Sequence, residues 1–186
     1  MDKIFIGLAG KLASGKGRMS SHLIEKYDAF RLRSSDPLRQ TLDLFGVPQS
    51  RDNLGALSTF LRSTYGENTI CNAMARMLTA TESPVAIFDG MRRLMDVSIF
   101  RQFPRFYLIY VDASSEVRYD RYIKRNENPG DVEMSREDFD MRDDAEPEQE
   151  LELLKAHADF VIDNNTNSIE HLDTQIDTVL STILKK

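Results

Sequence analysis

Gly10, Gly15 and Lys16 in this 186-residue sequence stand at the spacing Gly-x4-Gly-Lys. Glycines so placed let successive backbone N–H groups converge on an anion, and the lysine reaches its outer oxygens. The flanks suit that chemistry. Ile4-Phe-Ile-Gly-Leu reads as a buried strand, and Met19-Ser-Ser-His-Leu-Ile-Glu-Lys reads as a helix whose N-terminus adds a positive dipole end. A plain strand-to-helix turn is the competing explanation. The expected nucleotide-phosphate set is Gly10, Lys11, Ala13, Ser14, Gly15, Lys16, Gly17 and Arg18. Position 17 is glycine where Ser or Thr normally offers a hydroxyl to Mg2+, and position 18 is arginine.

Further along, Val85-Ala-Ile-Phe ends in Asp89, the place where a phosphate-binding loop protein sets an acid near Mg2+. Asp89-Gly90 is also a common turn pair. Arg92 and Arg93 follow, just past a predicted helix start where cations oppose the dipole; a bound phosphate accounts for them and local stability does not. Arg39 lies one turn into a helix that Asp36 and Pro37 open, Asp36 being both a capping candidate and a site candidate. Arg62 sits on an apolar-striped helix. Arg118, Arg121 and Arg125 share one helix face by their spacing of three and four, although a solvated helix with Glu116 and Asp120 would look similar.

These residues need a scaffold. Strand-like runs fall at Lys3 to Leu8, Phe30 to Arg33, Val85 to Phe88, Phe106 to Val111 and Asp159 to Ile162. Helical periodicity fills the intervals at Gly15 to Tyr27, Pro37 to Phe45, Arg51 to Tyr65, Glu67 to Thr79, Met91 to Arg101, Ser115 to Asn126, Glu148 to His157 and Ile169 to Leu184. Alternation of this kind predicts an α/β fold of three layers, a central parallel sheet of about five strands with helices on both faces. The segment 126–147 breaks the pattern with Asn-Pro-Gly and Ala-Glu-Pro and reads as a loop or small mobile flap.

The length allows one well-buried core. A net charge of −6 argues against a general nucleic-acid surface, and no apolar run reaches membrane-helix length. The first strand follows Met-Asp-Lys directly, so a cytoplasmic protein without a signal peptide is expected. One cysteine, Cys71, excludes an internal disulfide, and His22, His157 and His171 lack ligand spacing and read as surface or interface residues. Among the cations sixteen are arginine and eight lysine, which favours bidentate phosphate recognition. Oligomeric state is not legible.

The Gly-Lys-Gly loop resembles that of adenylate kinases and related nucleoside monophosphate kinases. Asp89-Gly-Met-Arg92-Arg93 is similar to their Asp-Gly-Phe-Pro-Arg segment, and Ser34-Ser-Asp36-Pro-Leu-Arg39 to their Ser-Thr-Gly-Asp-Met-Leu-Arg. The resemblance implies a single domain over 1–186, with an acceptor-covering helical insert at about 36–80 and a lid at about 126–147. It implies an ATP- and Mg2+-dependent kinase acting on small-molecule nucleotides, with Lys16 and lid arginines Arg121, Arg125 and Arg142 around the transferring group. Asp36, Arg39, Arg62 and Arg93 would then hold a nucleoside or deoxynucleoside monophosphate, and Asp89 the metal. His157-Ala-Asp-Phe-Val-Ile-Asp-Asn164 is similar to a segment of dephospho-coenzyme A kinases that borders the donor adenine, which makes Asn164 an ATP-side candidate; a turn and helix cap is the alternative. A dephospho-coenzyme A or other small-molecule kinase, and a nucleotide-binding regulator with little turnover, remain alternatives.

Overall fold

The computed structural model describes residues 3–125, 134–143 and 146–185, apart from the side chains of 125, 142 and 146–149. Among the described residues five strands form one parallel sheet: β1 (Ile4–Ala9), β2 (Ala29–Arg33), β3 (Val85–Asp89), β4 (Phe106–Asp112) and β5 (Phe160–Asp163), in the order β2-β3-β1-β4-β5. The helices are α1 (Lys16–Tyr27), α2 (Asp36–Leu44), α3 (Arg51–Tyr65), α4 (Thr69–Ala80), α5 (Leu94–Phe100), α6 (Ser115–Arg125), α7 (Arg136–Asp143), α8 (Glu146–His157) and α9 (Ile169–Leu184).

Alternating strand residues build two cores. Ile4, Ile6, Leu8, Val85, Ile87, Ile109, Val111 and Ile162 face α1 and α9, where Met19, Leu23, Leu172, Ile176 and Leu180 meet them. Phe5, Ala86, Phe88, Leu108 and Tyr110 face the opposite layer of α4, α5 and α8. Burial on both faces accounts for the continuous apolar runs of the central strands. β1 lies centrally with β3 and β4 on either side, so the crossovers leave opposite ways and open a crevice at its carboxyl end.

Three expectations change. The segment 126–147 is not loop throughout, because α7 lies within it. Asp138 N donates to Ser135 Oγ (3.0 Å) at its start, and Phe139 is buried against Tyr119 and Tyr122 with ring centroids 5.5 Å apart in each case. The helix expected from Met91 starts at Leu94, since Gly90 N and Met91 N both donate to Leu8 O and hold that stretch against β1. His22 is buried rather than superficial: its Nε2 is 2.8 Å from Asp177 Oδ1, between α1 and α9. No helix among the described residues is long and apolar enough to cross a membrane.

Candidate functional site

The loop between β1 and α1 turns on two glycines with positive φ, Gly10 at 143° and Gly15 at 111°. Each also occupies a space that a side chain would fill. A Cβ on Gly10 would lie 2.4 Å from Val111 O, and one on Gly15 would lie 2.2 Å from Asn164 Nδ2. Lys16 folds over the loop and donates to Gly10 O (2.5 Å) and Lys11 O (2.8 Å). The loop borders a cleft of about 900 Å3, a volume suited to a nucleotide-sized ligand. Its cationic lining is Lys16, Arg18, Arg31, Arg33, Arg92 and Arg121; Asp89 is its carboxylate, and Ser14, Ser21, Ser34 and Ser35 add hydroxyls.

Asp89 ends β3 as expected and is buried, but it meets Arg31. Arg31 Nε donates to Asp89 Oδ2 at 2.7 Å, and Nη2 reaches the same oxygen. The register explains the pair. Arg31 lies beside Ile87, so Asp89 is two residues further on the same face, and a long side chain leaning along the strand ends at the carboxylate. Arg33 lies beside Asp89, and Asp36 holds it twice: Oδ2 accepts from Arg33 N (2.7 Å) and Oδ1 from Nε (3.1 Å). Asp36 is therefore not the N-cap of α2; Ser35 occupies that position.

A second set of contacts supports the loop from behind. Arg118 is 2% exposed, and its guanidinium grips Asp143 through Nη1–Oδ1 at 2.5 Å and Nη2–Oδ2 at 2.6 Å while Nη1 also donates to Leu12 O (3.4 Å). Lys11 Nζ lies 3.1 Å from Asp143 Oδ2. Burial pushes the Asp143 carboxyl up, but Arg118 and Lys11 outweigh it and hold the group below the usual carboxylate range. Asn164 is buried and donates from Nδ2 to Ser14 O (2.7 Å), clamping the loop to the turn after β5. Arg121 Nη2 donates to Thr166 O (2.8 Å) and Asn164 Oδ1 (3.4 Å), whereas its buried Nη1 has no hydrogen-bond partner among the described residues. Burial lowers its pKa. Arg18 is fixed on α9 by two contacts to Asp173.

The residues expected from the sequence divide accordingly. Gly10, Ala13, Ser14, Gly15, Lys16, Gly17, Arg18, Asp89 and Arg121 come together at the cleft. Lys11 turns to Asp143, and Asn164 buttresses the loop from beneath. Arg39, Arg62 and Arg93 are absent from the lining. Arg39 donates to Gln49 Oε1 (2.9 Å), and Arg62 and Arg93 both reach Glu67 Oε2, at 3.4 and 3.0 Å. The side chains of Arg125 and Arg142 lie outside the described residues, as do 126–133 and 144–145 of the expected lid. Arg31 and Arg33 had escaped notice. The signal was the alternation Phe30-Arg31-Leu32-Arg33, which puts two arginines on one face of a strand leading to the loop's side of the sheet.

A resident Mg2+ does not fit this donor set. Gly17 has no hydroxyl, one oxygen of Asp89 is held by Arg31, and no cluster of three His, Cys, Asp or Glu occurs among the described residues.

No protein-family model matches the chain. A UPF0200 protein of Methanoculleus marisnigri is 31% identical over 176 residues, covering 94% of each chain, and one of Hyperthermus butylicus is 27% identical over 96% of this chain and 94% of that one. Among solved structures, shikimate kinase from Bacteroides thetaiotaomicron superposes with a TM-score of 0.63 at 12% identity, over 96% of this chain and 98% of that one. Shikimate kinase from Aquifex aeolicus gives 0.55 at 14% identity, over 96% and 97%. At such identities the likeness is one of fold, that of the P-loop kinases.

Proposed function

The chain belongs to the UPF0200 family, and from that footing we propose that it is an ATP-dependent phosphotransferase whose acceptor already carries a phosphate, a nucleoside or deoxynucleoside monophosphate. The observation that carries this reading is the cleft itself, in which the glycine-hinged loop, Lys16 and five arginines face one volume with a single carboxylate. In this reading the loop amides and Lys16 hold the donor phosphates, with Arg18 beside them. An acceptor phosphate oxygen attacks the γ-phosphorus, the bond to the β–γ bridging oxygen breaks, and ADP departs. No base is required, since the attacking oxygen is already ionised. The protein's part is positioning and charge neutralisation.

Arg121 is the cation best prepared for developing charge, since a bound phosphoryl oxygen would satisfy its orphaned Nη1. Arg125 and Arg142 would join it on closure of a lid at about 126–147, over the helical insert at about 36–80. For the acceptor, Arg33 and Arg92 line the cleft directly, whereas Arg39 and Arg93 would first have to leave Gln49 and Glu67. A hydroxyl acceptor is the second reading, favoured by the likeness of fold to shikimate kinases. It requires a base, and both oxygens of Asp36 are engaged by Arg33.

The test is ADP release from ATP across a panel of nucleoside monophosphates, the matching nucleosides, dephospho-coenzyme A and shikimate. Turnover on a monophosphate with none on its nucleoside is expected. Robust activity on an unphosphorylated acceptor would move the arginines to other duties and overturn the reading.

A further inference from the structure

Asp89 occupies the carboxyl end of a core strand and is 7% exposed, so its partner is set by the sheet and not by a mobile surface. That partner is a guanidinium. Arg31 brings a fixed positive charge to the point where the carboxylate would otherwise stand ready for a metal, and Gly17 withholds the hydroxyl that would complete a metal's protein ligands. The rest of the lining points the same way. Arg18, Arg31 and Arg33 lie on Asp173, Asp89 and Asp36, and Arg121 brings to the same cleft a buried Nη1 with no hydrogen-bond partner among the described residues. A triphosphate entering this volume meets these guanidinium groups on its wall.

We infer that Arg31 is a resident phosphate-binding cation, held in register by Asp89, and that it lets the cleft hold a nucleoside triphosphate without a divalent ion. The inference rests on the phosphotransfer reading above and adds to it how the donor's charge is met. Arg31 has the geometry for two tasks at once. Its Nε and Nη2 both converge on Asp89 Oδ2, which leaves Nη1 without a carboxylate among the described residues and able to turn to a phosphate oxygen as a second arm of the same planar fork. Asp89 thereby acts as a positioning residue for a cation.

The experiment is equilibrium binding of a fluorescent ATP analogue to the wild-type protein, Arg31→Gln and Asp89→Asn, each with EDTA and with Mg2+. Wild-type affinities in the two buffers should agree within about threefold. Arg31→Gln should bind about tenfold to a hundredfold more weakly in EDTA, the range for one charged hydrogen bond, and Mg2+ should recover part of the loss because Asp89 is released to serve as a ligand. Asp89→Asn keeps the cation but frees it from its anchor, so its affinity in EDTA should fall between those of the wild type and Arg31→Gln. A wild-type affinity that rises more than about tenfold on adding Mg2+ overturns the inference and leaves the phosphotransfer reading standing. Binding in neither buffer overturns both. If Arg31→Gln does not fold, Arg31→Lys, which keeps the charge but not the fork, should still bind more weakly than the wild type in EDTA, and wild-type-like binding by whichever of the two folds overturns the role given to Arg31.

Discussion

Replacing Gly15 by alanine strikes the loop in two ways that a double-mutant cycle can separate. At φ 111° a side chain is strained, at a cost of about 1–3 kcal/mol. The new Cβ would also stand 2.2 Å from Asn164 Nδ2, so Asn164 must withdraw from Ser14 O and a buried hydrogen bond of 2.7 Å is lost, about 1–3 kcal/mol more. Gly15→Ala should therefore cost about 2–6 kcal/mol, and Asn164→Ala alone about 1–3 kcal/mol. Both variants break the same hydrogen bond, so the double variant should fall short of additivity by about 1–3 kcal/mol. Urea unfolding measures this through the midpoint at constant slope. Additivity within about 0.5 kcal/mol would refute the clamp, since the two residues would then act independently.

Asp143→Ala strands the buried Arg118 and should destabilise the protein by about 3–5 kcal/mol in thermal or urea unfolding; replacing both partners with apolar residues should cost less. Asp143 and Asp177 both titrate below the ordinary carboxylate range, burial being outweighed by Arg118 and Lys11 for the first and by Lys26, His22 and Tyr27 for the second. Their contribution to stability should be complete above an unfolded-chain pKa of about 4 and disappear as pH falls through the lower folded values, a loss that Asp143→Asn and Asp177→Asn should blunt in acid unfolding curves. Tyr27 is pushed up to about 12 by burial and its hydrogen bond to Asp177, so its share should persist to pH about 10 and fade toward pH about 12, followed by ultraviolet titration beside unfolding. If 126–147 closes as a lid, saturating bisubstrate analogue should protect it from protease; unchanged cleavage would mark a passive loop.

Much of the scaffold was legible because the sheet is buried on both faces. Val85-Ala-Ile-Phe and Phe106-Tyr-Leu-Ile-Tyr-Val have no polar interruption, and α3 and α9 match the segments that periodicity marks at 51–65 and 169–184. The helix α7 escaped because its packing rests on one residue, Phe139, amid charged neighbours. Ser135-x-x-Asp138 was the available sign of its start. The arginines show a different limit. Arg39 and Arg93 are drawn to Gln49 and Glu67, which lie in the connections between α2 and α3 and between α3 and α4, a matter of tertiary packing that no local pattern reports. Asn164 reaches a loop 150 residues away in sequence, a contact invisible until the sheet places β5 two strands from β1. Arg31 was readable from alternation along β2, but only the β2–β3 register makes it the partner of Asp89.

The central claim is that the glycine-hinged loop and Lys16 deliver a phosphoryl group. Its most direct test is transfer from γ-labelled ATP to a monophosphate acceptor by the wild-type protein and by Lys16→Ala, with folding of both confirmed by thermal unfolding. The account predicts labelled diphosphate from the wild type and its loss in the variant, whose melting should stay close to wild type because the change lies at the first residue of α1 and removes no core contact. A folded Lys16→Ala that transfers label at the wild-type rate would contradict it.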